Sequence, residues 1–269
     1  MKVAIQGQVG SFHALVAQKW YGPNCRLVEC RSFGDVFEAY ERAEAEAIVC
    51  AVENTVYGSI NEVYQLIASS SAKIIGEVKL PIRQHLIGLA DTDLANIRRI
   101  YSHPVALAQS HHNLRHLCPQ AELIEYADTA AAVGHVKKLN RGDVAAVGSE
   151  TAAELHKLEV IKSDVHDNQA NLTRFLILEK TPQPHNANRS SLLVRTDHSP
   201  GALAEVLSVF AERRINLVKL QSQPIIGRPW QYNFFVVADC AGDELAECVE
   251  EINQTGHSVR VLGEYQASQ

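Results

Sequence analysis

Two rhythms of hydrophobic and polar positions alternate through the first 180 residues. Short apolar runs read as strands: Val3-Ala4-Ile5, Ile48 to Val52, Ile74-Ile75, Leu86 to Leu89, Ile100-Tyr101, Leu123-Ile124 and Val144 to Val147. Between them lie patterns of helical period. Phe12, Leu15 and Val16 share one face of a helix over Ser11 to Lys19. Phe33, Val36, Phe37 and Tyr40 repeat likewise, with Glu38 placed to pair with Arg42 one turn on. Val63, Leu66 and Ile67 mark a short helix, and Pro104 opens another that runs to about Leu117. Asp128-Thr129 caps an alanine-rich helix, and Ser149 begins one more. Strands alternating with helices predict a largely parallel sheet wrapped by helices.

The pattern breaks at Thr181-Pro182-Gln183-Pro184-His185-Asn186-Ala187-Asn188, a proline-containing, apolar-poor linker. Beyond it come strand Leu192 to Val194, helix Gly201 to Arg213, strand Ile215 to Gln221, strand Trp230 to Ala238, helix Asp243 to Gln254 and strand Ser258 to Leu262. Leu203, Val206, Leu207 and Phe210 form one buried stripe, and Leu245, Cys248, Val249 and Ile252 the other. The order βαββαβ is ferredoxin-like. Two helices on one face leave the opposite sheet face free to meet a partner, so at least a dimer is expected.

Composition narrows the class. The chain has 269 residues, 46% of them apolar, enough for more than one core. No apolar run approaches a membrane span, and Gln6-Gly7 interrupts the first strand too early for a signal peptide, which predicts a cytoplasmic protein. Cys25, Cys30, Cys50, Cys118, Cys240 and Cys248 form no closely spaced pair, so reduced thiols are expected and neither zinc nor another cofactor is implied. A net charge of −6 without a basic stripe argues against nucleic acid.

Chemistry concentrates in two kinds of place. Small or polar clusters follow several strands: Gly7 to Ser11, Glu53-Asn54-Thr55 with Gly58-Ser59, Ser102-His103, and Gly148-Ser149. In an open α/β sheet this rim binds ligands, and helix N-termini there favour carboxylate or phosphate. Serine, threonine and asparagine are equally good helix caps, so the clusters alone leave both roles open. The second place is Asn171-Leu172-Thr173-Arg174-Phe175, three polar residues at the start of the run that continues Leu176-Ile177-Leu178. Polar groups at the buried end of a strand require partners, either a ligand or their own neighbours.

Together and in this order, these segments resemble the prephenate dehydratase family with a carboxyl-terminal ACT regulatory domain. The resemblance rests on Glu53-Asn54-Thr55 with Gly58-Ser59, Tyr101-Ser102-His103-Pro104 with Ala106-Leu107-Ala108-Gln109, and Asn171 to Phe175; in the second domain it rests on Pro200-Gly201-Ala202-Leu203 and Arg214-Ile215-Asn216-Leu217. It implies an α/β catalytic region over 1–180, with two lobes like type II periplasmic binding proteins. Lobe 1 would cover about 1–78 and 165–180, and lobe 2 about 79–164. A linker over 181–190 and a ferredoxin-like ACT domain over 191–269 would follow. The chain would cross between lobes near Glu77 to Pro81 and return near Ile161 to Asn168.

The same resemblance implies a carbon–oxygen lyase that converts prephenate to phenylpyruvate in phenylalanine biosynthesis. Thr173 would be catalytic, helping the ring hydroxyl to leave. Ser11, Asn54, Thr55, Ser102, His103, Asn171, Arg174 and Phe175 would bind substrate. Arg174 is also placed to brace the lobe crossing as an ion pair, and Phe12 and Phe175 to form an apolar wall. Phenylalanine would act as allosteric ligand near Gly201, Ala202, Leu203, Gln221 and Ser222, between ACT domains paired in a homodimer or homotetramer. The family's usual Glu-Ser-Arg-Pro is here Gln221-Ser222-Gln223-Pro224, which removes two charges from that site, and Thr55 stands where serine is usual. The rival readings are an arogenate dehydratase, which needs an acceptor for an extra ammonium, and a non-catalytic amino-acid sensor.

Overall fold

The computed structural model describes residues 1–181, 186–197, 199–225, 227 and 230–268. The prolines of the linker, Pro182 and Pro184, lie outside the described residues. The chain divides into two units, Met1–Ser59 with Lys79–Phe175, and Ile60–Val78 with Leu176–Gln269.

In the first unit β1 (Lys2–Gln6) lies between β2 (Arg26–Cys30) and β3 (Ala47–Asn54), all parallel. The order continues through β11 (Leu172–Glu179) to β5 (Lys73–Pro81), strands that run through both units, while the short β4 (Gly58–Ser59) folds back on β3. Helices α1 (Phe12–Tyr21) and α2 (Phe33–Glu41) start at serine caps, Ser11 and Ser32. β2 escapes the apolar pattern because Arg26 and Glu29 flank its apolar pair on a sheet edge, where one side of the strand faces water.

The second lobe has a sheet ordered β10-β6-β9-β7-β8. Here β7 (Arg99–Ser102) pairs in parallel with β8 (Glu122–Glu125) and β9 (Val144–Gly148). β6 (His85–Gly88) is antiparallel to both β9 and β10 (Glu159–Lys162), so the predicted parallel sheet holds only in part. The chain enters this lobe through β6 and leaves through β10, and neighbouring strands that enter and leave at one boundary run in opposite directions. The helix predicted from Pro104 to Leu117 is two, α4 (Pro104–Gln109) and α5 (His111–Leu117). The returning chain splits them. Asp167 donates its amide to the Gln109 carbonyl at 2.7 Å, and its carboxylate accepts from the amides of His112 and Asn113 at 2.9 and 2.8 Å. Helices α6 (Thr129–Leu139) and α7 (Glu150–His156) begin at the side-chain caps Asp128 and Ser149.

The second unit carries the ferredoxin-like sheet, ordered β13-β14-β12-β15 and antiparallel throughout. Its strands are β12 (Arg189–Arg195), β13 (Leu217–Pro224), β14 (Tyr232–Ala238) and β15 (Ser258–Tyr265). Two strands begin later than predicted. Arg214 and Trp230 both take left-handed backbone, φ 56° and 63°, which excludes them and their near neighbours from a ladder. Helices α8 (Ala202–Glu212) and α9 (Asp243–Gln254) bury Val206, Phe210, Leu245, Cys248 and Ile252 against Leu192, Val194 and Val236.

The opposite face is not left free. Helix α3 (Asn61–Ser69) lies against it, with the Tyr64 ring edge-on to Phe235 at 4.6 Å and the Lys219 ammonium 5.4 Å above the same ring. A sheet face with buried aromatic positions demands cover, and the chain supplies it from its own sequence.

Candidate active site

β3 ends at Asn54, and β11 begins beside it at Leu172. Two backbone bonds set their relation: Thr55 donates its amide to the Leu172 carbonyl at 2.9 Å, and Ile82, on the outgoing crossing, donates to the Asn171 carbonyl at 2.8 Å. Both lobe crossings therefore meet within two residues of Thr173.

Asn54 is the hub. Its Oδ1 accepts from the amides of Val56 and Tyr57 at 3.0 and 2.8 Å and from Gln109 Nε2 at 3.1 Å. Its Nδ2 donates to Asn171 Oδ1 at 2.6 Å and Thr173 Oγ1 at 2.9 Å, with the Leu172 carbonyl at 3.2 Å. Asn171 Nδ2 closes a ring of three amides by donating to Gln109 Oε1 at 3.0 Å. All four side chains are at most 9% exposed. In so dry a place a hydrogen bond is electrostatically strong, and an unpaired amide is expensive. The ring is satisfied, so it is rigid. One lone pair of Thr173 Oγ1 is held by Asn54, and no acceptor for its hydrogen is recorded among the described residues.

Gln109 brings the second lobe to this hub, and sequence reasoning did not assign it a role. The signal was present: a polar residue ends the apolar helix Val105-Ala106-Leu107-Ala108 at a buried position. Its partners lie 55 and 62 residues away in the chain, so no local pattern names them.

The remaining predicted residues separate. Thr55 Oγ1 donates to the Ala170 carbonyl at 2.7 Å and accepts from the Leu172 amide at 2.9 Å, so its hydroxyl clamps the returning strand. Ser102 Oγ, fully buried, donates to the Val147 carbonyl at 2.7 Å and braces β7 against β9. Ser11 caps α1, its Oγ accepting from the Ala14 amide at 3.3 Å. His103 caps α4 through Nδ1, which accepts from the Val105 amide at 3.3 Å and leaves the proton of the neutral ring on Nε2. Burial lowers the His103 pKa, against the opposing pull of Asp128 and Glu125. Arg174 points away from Thr173, as strand alternation requires, and pairs with Glu53 at 3.0 Å. Phe175 is core, edge-on to His13 at 5.1 Å. His13 is buried, accepts from the Ala51 amide at 3.2 Å, and has its pKa lowered to about 4 by that burial.

The lobes also touch at their rim. Ser149 Oγ donates to the Gly10 carbonyl at 2.6 Å. Gly10 has φ 89°, and a β-carbon there would come 3.2 Å from the Ala152 backbone, so only glycine permits this approach.

In the second unit Ala202 and Leu203 line a cavity of about 340 Å³ with Thr196, Pro200, Tyr232 and Phe234. Gly201 is the N-cap of α8, φ 91°. Gln221 and Ser222 lie on β13 and are not among the lining residues. A groove of about 590 Å³ between α9 and β15 contains none of the site residues expected from the sequence.

A two-lobed α/β region with a buried amide-and-hydroxyl hub at its lobe crossings, joined to a ferredoxin-like module, defines a two-part α/β class of protein. Comparison with known proteins specifies it. The prephenate dehydratase family model matches residues 3–183, and the ACT domain model matches residues 190–254. The chain belongs to the prephenate dehydratase family. A prephenate dehydratase of Lactococcus lactis subsp. cremoris is 34% identical over 98% of this chain and 97% of its own length. Arogenate dehydratase/prephenate dehydratase 2, a chloroplastic protein of Arabidopsis thaliana, is 36% identical over 98% of this chain and 72% of its own. The crystal structure of prephenate dehydratase in complex with L-Phe from Arthrobacter aurescens superposes with a TM-score of 0.89 at 26% identity, covering 99% of this chain and 90% of that one.

Proposed function

We propose that this chain is a carbon–oxygen lyase that decarboxylates and dehydrates prephenate to phenylpyruvate in phenylalanine biosynthesis, with Thr173 as the leaving-group donor. The observation that carries the reading is the 2.9 Å bond from Asn54 Nδ2 to Thr173 Oγ1. It holds the hydroxyl at a fixed position, and an alcohol that accepts a hydrogen bond becomes a stronger donor through its own hydrogen. In the reaction the bond to the ring carboxylate breaks. Its electron pair enters the ring, carbon dioxide leaves, and the ring C–O bond breaks as the oxygen takes up a proton to become water. Aromatisation drives the change, so the protein supplies position and a hydrogen bond to the departing oxygen.

Bonds from Thr55 and Ser102 to backbone carbonyls support reading them as scaffolding, with Asn171, Gln109 and Asn54 orienting the donor. The departing carboxylate is best left ungripped, since a cation there would stabilise the ground state. Pairing of Arg174 with Glu53 is consistent with that. The catalytic domain is taken as 1–180 and the regulatory domain as 191–269. Incubation with prephenate should release phenylpyruvate, and Thr173→Ala should lower kcat by at least a hundredfold with the fold intact. Absence of phenylpyruvate with a folded wild-type protein would sink the reading and favour a sensor. Side-by-side turnover of prephenate and arogenate identifies the preferred substrate.

Phenylalanine is assigned to the cavity at Ala202 and Leu203. Helix N-terminal amides there can hold a carboxylate while Phe234 and Tyr232 offer aromatic surface, so no side-chain charge from β13 is required. Exposed Val218 and Leu220 on the edge strand β13 suit pairing with a second copy, which light scattering would test. The described residues contain no helix long and apolar enough to cross a membrane; a cytoplasmic location is part of the same proposal.

A further inference from the structure

Residues 60–78 have an unusual allegiance. They belong to the same unit as the ferredoxin-like module, yet both of their ends lead to backbone that bonds the proposed catalytic hub. Upstream, α3 follows β4 and the turn whose amides at Val56 and Tyr57 bind Asn54. Downstream, β5 continues to Ile82, which bonds the Asn171 carbonyl.

The segment is gripped along its length. Tyr64 is fully buried against Phe235, with Lys219 over its ring. Arg260 reaches the Ala68 carbonyl, and Lys73 Nζ donates to the Val261 carbonyl at 3.0 Å. Gly263 has no room for a β-carbon, because it would meet the Ile74 carbonyl. At the end nearest the crossing, Glu77 is buried and accepts from Arg189 Nη1 at 2.7 Å and from the Ser268 amide at 3.0 Å. Arg189 forks onto Asp239 at 2.8 and 2.7 Å, and Asp239 accepts from Asn216 Nδ2 at 2.9 Å. An ion pair as dry as Arg189–Glu77 contributes little net stability, and its strict geometry resists small displacements. Arg189 begins β12, and Thr196, at its far end, lines the cavity assigned to phenylalanine.

The geometry points to residues 60–78 as the lever through which the regulatory domain acts on Thr173, with Tyr64 and Glu77 as its coupling residues. This rests on the reading that phenylalanine regulates the enzyme. Allosteric coupling needs an element whose arrangement both sites bias. A shift of β12 on ligand binding would carry Glu77 with it through Arg189, and Glu77 lies five residues before Ile82. The strands β5 and β3 would then disturb the hub from opposite ends.

Two variants of the full-length protein test it. Glu77→Gln keeps the size and an acceptor for Arg189 but removes the charge. Tyr64→Leu removes the ring contact. Each should keep kcat and KM within about twofold and phenylalanine affinity within about threefold by calorimetry, while the phenylalanine concentration for half-inhibition rises at least tenfold. Hydrogen exchange at the Ile82 amide should respond to phenylalanine in the wild type and not in the variants. Unchanged half-inhibition in both folded variants, or inhibition that weakens only as binding weakens, would overturn the lever. A wild type that phenylalanine binds without inhibiting, or does not bind, would overturn it by a different route, through the regulatory reading itself.

Discussion

Replacing Asn54 by aspartate inverts one half of the hub and keeps the other. Oδ1 still accepts from Val56, Tyr57 and Gln109, so the turn and the link to the second lobe persist. The second oxygen replaces an N–H donor that bonded Asn171 Oδ1 at 2.6 Å and Thr173 Oγ1 at 2.9 Å. Two acceptors now face an acceptor. Thr173 relieves its share by rotating its hydrogen toward position 54, which in the proposed mechanism withdraws it from the departing oxygen. Loss of one well-placed donor to developing negative charge is worth about 2–4 kcal/mol. That corresponds to a fall in kcat of roughly 30- to 1000-fold. Steady-state assay of phenylpyruvate formation reads it, with circular dichroism to show that the fold remains. The variant carries its own control. Burial raises a carboxyl pKa, and the protonated form has an O–H that can again donate to Thr173. Variant kcat should therefore climb as pH falls, opposite to any loss from acid unfolding. A kcat within threefold of wild type, with the same pH profile, would show that the Asn54–Thr173 bond does not orient the catalytic hydroxyl.

Thr55→Val removes both bonds of the clamp and should lower kcat and the unfolding midpoint together, while Thr55→Ser restores both. A rise in KM without loss of thermal stability would instead return Thr55 to the substrate. His13 makes stability pH-dependent: its folded pKa, about 4, lies below the unfolded 6.5. Stability is thus full above 6.5 and falls as pH drops toward 4, by about 3 kcal/mol at one pKa unit per 1.4 kcal/mol. Urea midpoints between pH 7 and 4 should show this fall, and His13→Phe should flatten it while losing a constant increment for the unpaired Ala51 amide. Arg174→Met should destabilise the protein through loss of Glu53, and KM for prephenate should stay near wild type.

Much of this protein was determined by sequence alone. Hydrophobic period placed the helices of the first lobe and the βαββαβ order of the second unit, because burial of one face is a local property of strand and helix geometry. The segments around Asn54, Ser102 and Thr173 were also visible as polar residues at the ends of apolar strands. Their division of labour was decided by tertiary structure. The hydroxyls of Thr55 and Ser102, read from the sequence as substrate contacts, bond backbone carbonyls, and Gln109, read only as helix, joins the amide hub. A side chain's hydrogen-bond partner lies at any sequence distance, so periodicity can show that a polar group is buried without showing what satisfies it. The same reason hid the surface on which α3 packs. Its amphipathic pattern declared a face to be covered, and only the folded chain chose the ferredoxin-like sheet as the surface that covers it.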